Sequence, residues 1–133
     1  MVYNSIREKE EVMALAVTTL KINEGFILTT YDNLDTLDTA PDPIAVGSDF
    51  VMSSGSGLVH GTIQAVGTFG SGTVKLQMSN DGTNWVDMKD INNTAIGITA
   101  AGASEFNTAA RYIRPLITGG TGDDVDVFIT TRS

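Results

Sequence analysis

The stretch GTVKLQMSNDGTNWVDM, Gly72 to Met88, decides how the rest of the chain reads. In TVKLQMS, Val74, Leu76 and Met78 alternate with Lys75, Gln77 and Ser79. Successive side chains on a strand point to opposite faces, so this is a strand with one buried face. The polar run NDGTN follows. Asp81-Gly82 favours a tight turn, because both residues tolerate positive φ. Trp85, the single tryptophan, then opens the returning strand. The expectation is an indole packed in the sheet near Met78 or Met88. An exposed platform that stacks on a sugar is the alternative.

The same pattern extends in both directions. DVDVFIT alternates Val125, Val127 and Ile129 against Asp124, Asp126 and Thr130, with Phe128 interrupting the polar face. LVHGTIQAVGTF, Leu58 to Phe69, is a strong strand punctuated on both sides by Gly-Ser-Gly. Further strands are expected near 44–46, 49–53, 84–88, 94–99, 104–108 and 111–118. Upstream, Ala14–Ile22 and Gly25–Tyr31 read as two strands joined at Asn23-Glu24-Gly25, with glycine supplying positive φ. DNLDTLDTAPDP, Asp32 to Pro43, carries two prolines and four aspartates and reads as a loop. Ser5 and Glu8 match a capping box, which allows a short helix from about Ile6 to Leu15; an arm running straight into the first strand is the rival reading. Many short strands with glycine-rich turns predict an all-β antiparallel sandwich, jelly-roll or Ig-like. The expected division is an arm over 1–22, leading into the first strand, and one sandwich domain over 23–133.

Composition narrows the functions. The chain has 133 residues, enough for one domain with its own core. It carries 8 basic and 16 acidic residues, a net charge of −8, and no basic cluster. Phosphate neutralisation by Lys and Arg drives nucleic-acid binding, so neither nucleic acid nor an anionic membrane is an expected partner. With no cysteine, disulfides and thiolate chemistry are excluded. The polar start MVYNSIREKEEV is unlike a signal peptide, and no apolar run reaches membrane-span length. Synthesis in a cytoplasm is the expectation.

Reactive residues are few. His60 is the only histidine and lies on an alternating strand, so it is expected to face solvent or an interface. No G-x-S-x-G elbow accompanies it, and the glycine runs lie between strands instead of before a helix. The aspartates form two groups: Asp32, Asp35, Asp38 and Asp42, then Asp123, Asp124 and Asp126. Neither has EF-hand spacing; a solvated acidic surface is expected and a calcium site is the alternative. No catalytic residue, metal or cofactor is expected. In ARYIRPLIT, Arg111 and Arg114 flank Tyr112. Each arginine is expected to pair with a carboxylate of its own domain, or else across a subunit interface.

The order of elements in the second half resembles small β-sandwich virion proteins of tailed bacteriophages. The resemblance rests on a V-x-L-Q-x-S strand (Val74, Leu76, Gln77, Ser79), a D-G-x-x-W turn (Asp81, Gly82, Trp85) and a Y-I-R strand (Tyr112, Ile113, Arg114), followed by a Gly-rich turn and a last strand. It implies a non-enzymatic capsid decoration, or cement, protein on the outside of a phage head. Its partner would be the major capsid protein, and it would itself be a homo-oligomer, a trimer being one form. Partner contacts are expected from the arm, through Tyr3, Ile6, Arg7 and Val12, and from Arg111 and Arg114. A carbohydrate-binding or tail- or neck-associated module, with Trp85 beside Tyr31 or Tyr112, is the competing function.

Overall fold

The computed structural model describes residues 14–23, 25–46 and 59–132. Among these residues the regular structure is nine β-strands and no helix. They are β1 (Ala16–Asn23), β2 (Phe26–Leu34), β3 (Ile44–Ala45), β4 (Val59–Thr68), β5 (Thr73–Ser79), β6 (Val86–Asp87), β7 (Gly102–Thr108), β8 (Tyr112–Thr118) and β9 (Asp124–Arg132). The strand expected at 49–53 and most of the possible helix over 6–15 lie outside the described residues. Within the segment read as an arm leading into the first strand, residues 16–22 form most of β1.

The strands make two antiparallel sheets, in the orders β1-β2-β9-β4-β7 and β3-β8-β5-β6. Four of the pairings are nested: β5 with β6, β4 with β7, β3 with β8 and β2 with β9. The chain is therefore one long antiparallel ribbon folded over on itself. Its two halves meet again where β4 pairs with β9 and β5 with β8. This wrapping is the jelly-roll form of the β-sandwich, with β1 added at one edge.

Alternation decides which face each strand turns inward. Val125, Val127 and Ile129 of β9, Ile27 and Tyr31 of β2, and Ile63 and Ala65 of β4 come from one sheet. Val74 and Leu76 of β5 and Ile113 and Ile117 of β8 come from the other. Each fully buried Val, Leu, Ile or Phe contributes about 1.5–3 kcal/mol relative to exposure. Phe106 of β7 belongs to the same core and lies over Gly61.

Three sequence expectations are corrected. First, β2 does not end at Tyr31 but runs to Leu34. Two residues of β2 lie between the pairs Tyr31↔Val127 and Leu34↔Val125, against one of β9. Asn33 takes the bulge at φ 63°, and its N–H donates to Asp126 Oδ1 at 3.0 Å. The extra residue inverts the alternation, so Leu34 is buried. Second, residues 94–99 form no strand. Ile96 and Ile98 are buried there, held by single bridges Val74↔Ile98 and Lys89↔Ala95. Third, the returning strand expected over 84–88 is ordered as a ladder only at Val86–Asp87. No helix among the described residues is long and apolar enough to cross a membrane.

Candidate functional site

The outward face of the β3-β8-β5-β6 sheet carries the residues that the sequence singles out. Cross-strand register sets Gln77 beside Arg114 on β8 and beside Asp87 on β6. These side chains form a polar row. Arg114 Nε donates to Gln77 Oε1 at 3.1 Å, and Gln77 Nε2 donates to Asp87 Oδ1 at 3.2 Å. Lys75 Nζ pairs with Asp87 Oδ2 at 3.3 Å. The Arg114 guanidinium lies 4.1 Å from the centre of the Trp85 ring. Trp85 is thus half-buried on the outer surface, and the expectation of an indole in the sheet near Met78 or Met88 is not met. A partner cation on the outer face holds it there. Met88, by contrast, is in the core.

The turn before Trp85 sets its position. Asp81 Oδ1 accepts from Ser79 Oγ at 2.9 Å, from the Thr83 N–H at 2.9 Å and from the Asn84 N–H at 2.8 Å. Asp81 Oδ2 accepts from Asn84 Nδ2 at 2.7 Å, and Ser79 Oγ accepts from the Gly82 N–H at 2.9 Å. Gly82, at φ 77°, makes the reversal and leaves its Cα facing the Tyr112 ring. The amides of Asn84 and Thr83 hold the Asp81 carboxyl far below the usual carboxylate range, and the two side-chain donors add to this. A depressed native pKa stabilises the fold above the unfolded-state value of about 3.9, and that stabilisation is lost as pH falls through the native value. Asp81→Asn is therefore expected to reduce the loss of stability on acidification below about pH 4. Urea titrations of both proteins at a series of pH values, followed by Trp85 emission, measure it; parallel pH profiles reject the assignment.

The arginines depart from the sequence reading. Neither Arg111 nor Arg114 pairs with a carboxylate among the described residues. Arg111 is exposed, 4.9 Å from the Tyr112 ring centre, and its Nη2 donates to Tyr112 Oη at 3.0 Å. Arg132 lies 4.1 Å from the Phe26 ring centre. All three described arginines are stacked on aromatic rings, which satisfies the flat face of the guanidinium and leaves N–H edges over. Burial, with no opposing charge to offset it, pushes the Arg114 pKa down. Tyr112 is the sequence neighbour of Arg111 and Phe26 the cross-strand partner of Arg132, whereas Trp85 reaches Arg114 from two strands away, so one strand read alone does not reveal the pattern. Tyr3, Ile6, Arg7 and Val12 lie outside the described residues.

The other candidates are placed as follows. His60 is exposed, with Nδ1 2.6 Å from Asn107 Oδ1. It lines an open groove of about 480 Å³ with Phe26, Arg132, Glu105 and Asn107. Tyr31 is fully buried and is no stacking platform. The two aspartate groups, far apart in sequence, meet at one end of the sandwich. Thr36 Oγ1 donates to Asp123 Oδ2 at 2.6 Å, and the Asp35 N–H donates to Asp38 Oδ2 at 2.9 Å. Burial, then neighbouring aspartates, push the Asp38 and Asp124 carboxyls up. Among the described residues no three of these groups converge to hold a metal ion.

The architecture defined here is an antiparallel β-sandwich with an arginine–aromatic outer face. No protein-family model matches the chain, and no curated protein matches it. Similar solved structures include a protein of Bacillus endospore appendages, described as a novel family of disulfide-linked pili. It is 11% identical, over 89% of this chain and 87% of that one, with a TM-score of 0.44. Another is an RmlC-like cupin protein from Desulfovibrio desulfuricans, 11% identical over 91% of this chain and 84% of that one, with a TM-score of 0.39. Likeness this distant says nothing about function.

Proposed function

We propose that this chain is a structural virion protein: a capsid decoration protein that binds the outer surface of a phage head and stabilises it by contact with major capsid subunits. The observation that carries the reading is the outward face of the β3-β8-β5-β6 sheet, where the guanidinium groups of Arg114 and Arg111 stack on Trp85 and Tyr112 and meet no carboxylate among the described residues. Arginine and large aromatics are the residue types that dominate binding energy in protein interfaces. The resemblance of the second half to phage virion sandwiches supplies the particle. In this reading the protein works without turnover, is made in the host cytoplasm and acts on the capsid exterior as a homo-oligomer. Many weak contacts repeated over a lattice then act as one strong attachment.

The glycan-binding alternative loses support on two counts. Tyr31 is buried, and Arg114 covers a face of Trp85. The test is direct. Purified protein is mixed with preformed heads that lack it. Sedimentation with the heads, and a higher temperature for their disruption, are the expected results. Heads that neither bind the protein nor gain resistance overturn the proposal.

A further inference from the structure

We propose that Arg114 is a pre-formed clamp for a single carboxylate, supplied by an aspartate or glutamate side chain of the partner protein. This deepens the contact reading and rests on it for the choice of surface.

Three observations converge on Arg114. The first is pre-organisation. Its ring contact with Trp85 at 4.1 Å fixes the plane of the guanidinium, and its Nε bond to Gln77 at 3.1 Å fixes the rotation within that plane. The two terminal nitrogens have no protein partner among the described residues. A guanidinium with one edge occupied and the other open presents two parallel N–H groups, the geometry that a carboxylate accepts in bidentate fashion.

The second observation is the missing counter-charge. The chain has twice as many acidic as basic residues, 16 against 8, yet none of its described carboxylates reaches Arg114. Asp87, two steps along the same row, is taken by Lys75 and Gln77. Arg114 as a residue is half-buried, and its guanidinium meets no opposing charge among the described residues. A carboxylate docking on it recovers the interaction that desolvation has removed.

The third is the shape of the surroundings. Arg114 stands on an open sheet face. An open face suits a side chain carried on another protein; small molecules are usually held in concave pockets. One guanidinium is matched in charge by one carboxylate; a phosphate dianion calls for a second cation, and Arg111 is turned onto Tyr112.

The test uses the whole chain with its arginine side chains labelled with 15N. A capped tripeptide, Gly-Glu-Gly, is titrated at millimolar concentration while the Arg114 Nε–Hε resonance and Trp85 emission are followed. Gly-Gln-Gly and Gly-phosphoserine-Gly are the comparison peptides. A shift of both signals with the glutamate peptide alone is expected, lost in Arg114→Gln and weakened about tenfold in Arg114→Lys, which keeps the charge and lacks the fork. Circular dichroism confirms that both variants are folded. No shift with the glutamate peptide, or stronger binding of the phosphoserine peptide, overturns the clamp. The same variants are assayed on heads. Heads that bind wild type and Arg114→Gln equally overturn the clamp and leave the decoration reading standing. Heads that bind neither, with the peptide still bound by wild type, overturn the decoration reading and leave the clamp standing.

Discussion

Gly61→Ala is expected to lower the unfolding free energy by about 3 kcal/mol, the upper end of ordinary overpacking. A Cβ at this position comes within 2.3 Å of Phe106 Cζ and 2.7 Å of Phe106 Cε2. Phe106 is fully buried, so its ring has no free space to enter. The new methyl also meets the Thr130 carbonyl oxygen at 2.7 Å, and Thr130 belongs to the neighbouring β9 backbone. A side chain can give way more cheaply than a ladder. Phe106→Leu added to Gly61→Ala should therefore recover part of the loss and not all of it. On its own Phe106→Leu leaves a void and destabilises, so the two changes are non-additive by about 1 kcal/mol. Urea unfolding of the single and double variants completes the cycle. Gly61→Ala as stable as wild type, or strict additivity, shows that Phe106 does not need the space above Gly61.

Tyr31→Ala is expected to cost about 4 kcal/mol and Tyr31→Phe about 1 kcal/mol. The ring is fully buried, and its loss opens a cavity between the sheets. The hydroxyl has a separate task. It donates to the Asp42 carbonyl oxygen at 2.5 Å, tying the 35–43 loop to the core from eleven residues away. Burial, then the Asp42 charge, push the phenol pKa well above its ordinary value. A raised native pKa means stability that is fully present below the unfolded value of about 10 and lost as pH rises beyond it. Wild type should thus lose stability above pH 10 more steeply than Tyr31→Phe, and the two curves should approach each other there. Thermal melts of both proteins between neutral and alkaline pH measure the difference. A constant gap across that range removes the phenol from the account.

The fold was readable where burial follows a period of two. β5 lies over Thr73–Ser79 as its alternation predicts, and β4, β8 and β9 depart from expectation by a residue or so at their ends. Reading failed where backbone conformation overrides the pattern. Asp32, Asn33 and Leu34 look like the start of a loop because two polar residues precede one leucine. Only the positive φ of Asn33 turns that leucine inward. Ile96 and Ile98 alternate like strand residues but are buried by packing along β5, without a ladder of their own. The outer face was half readable. Arg111 and Arg114 were identifiable as unusual cations in an acidic chain. Their stacking partners were not, because Trp85 reaches Arg114 only through the pairing of three strands. Carboxylate pairing is the more common fate of a strand arginine, and here Asp87, the carboxylate in the same row, is taken by Lys75 and Gln77.

β9 sits between β2 and β4, at the centre of the larger sheet. A nascent chain emerging from the ribosome carries both of its flanking strands long before residues 124–132 have been made. Until then β2 and β4 have no ladder between them, and the larger sheet stays split into β1-β2 and β4-β7. Productive folding must wait for translation to pass Arg132, and any nonsense codon upstream of Asp124 leaves two sticky half-sheets for the proteases of the cell.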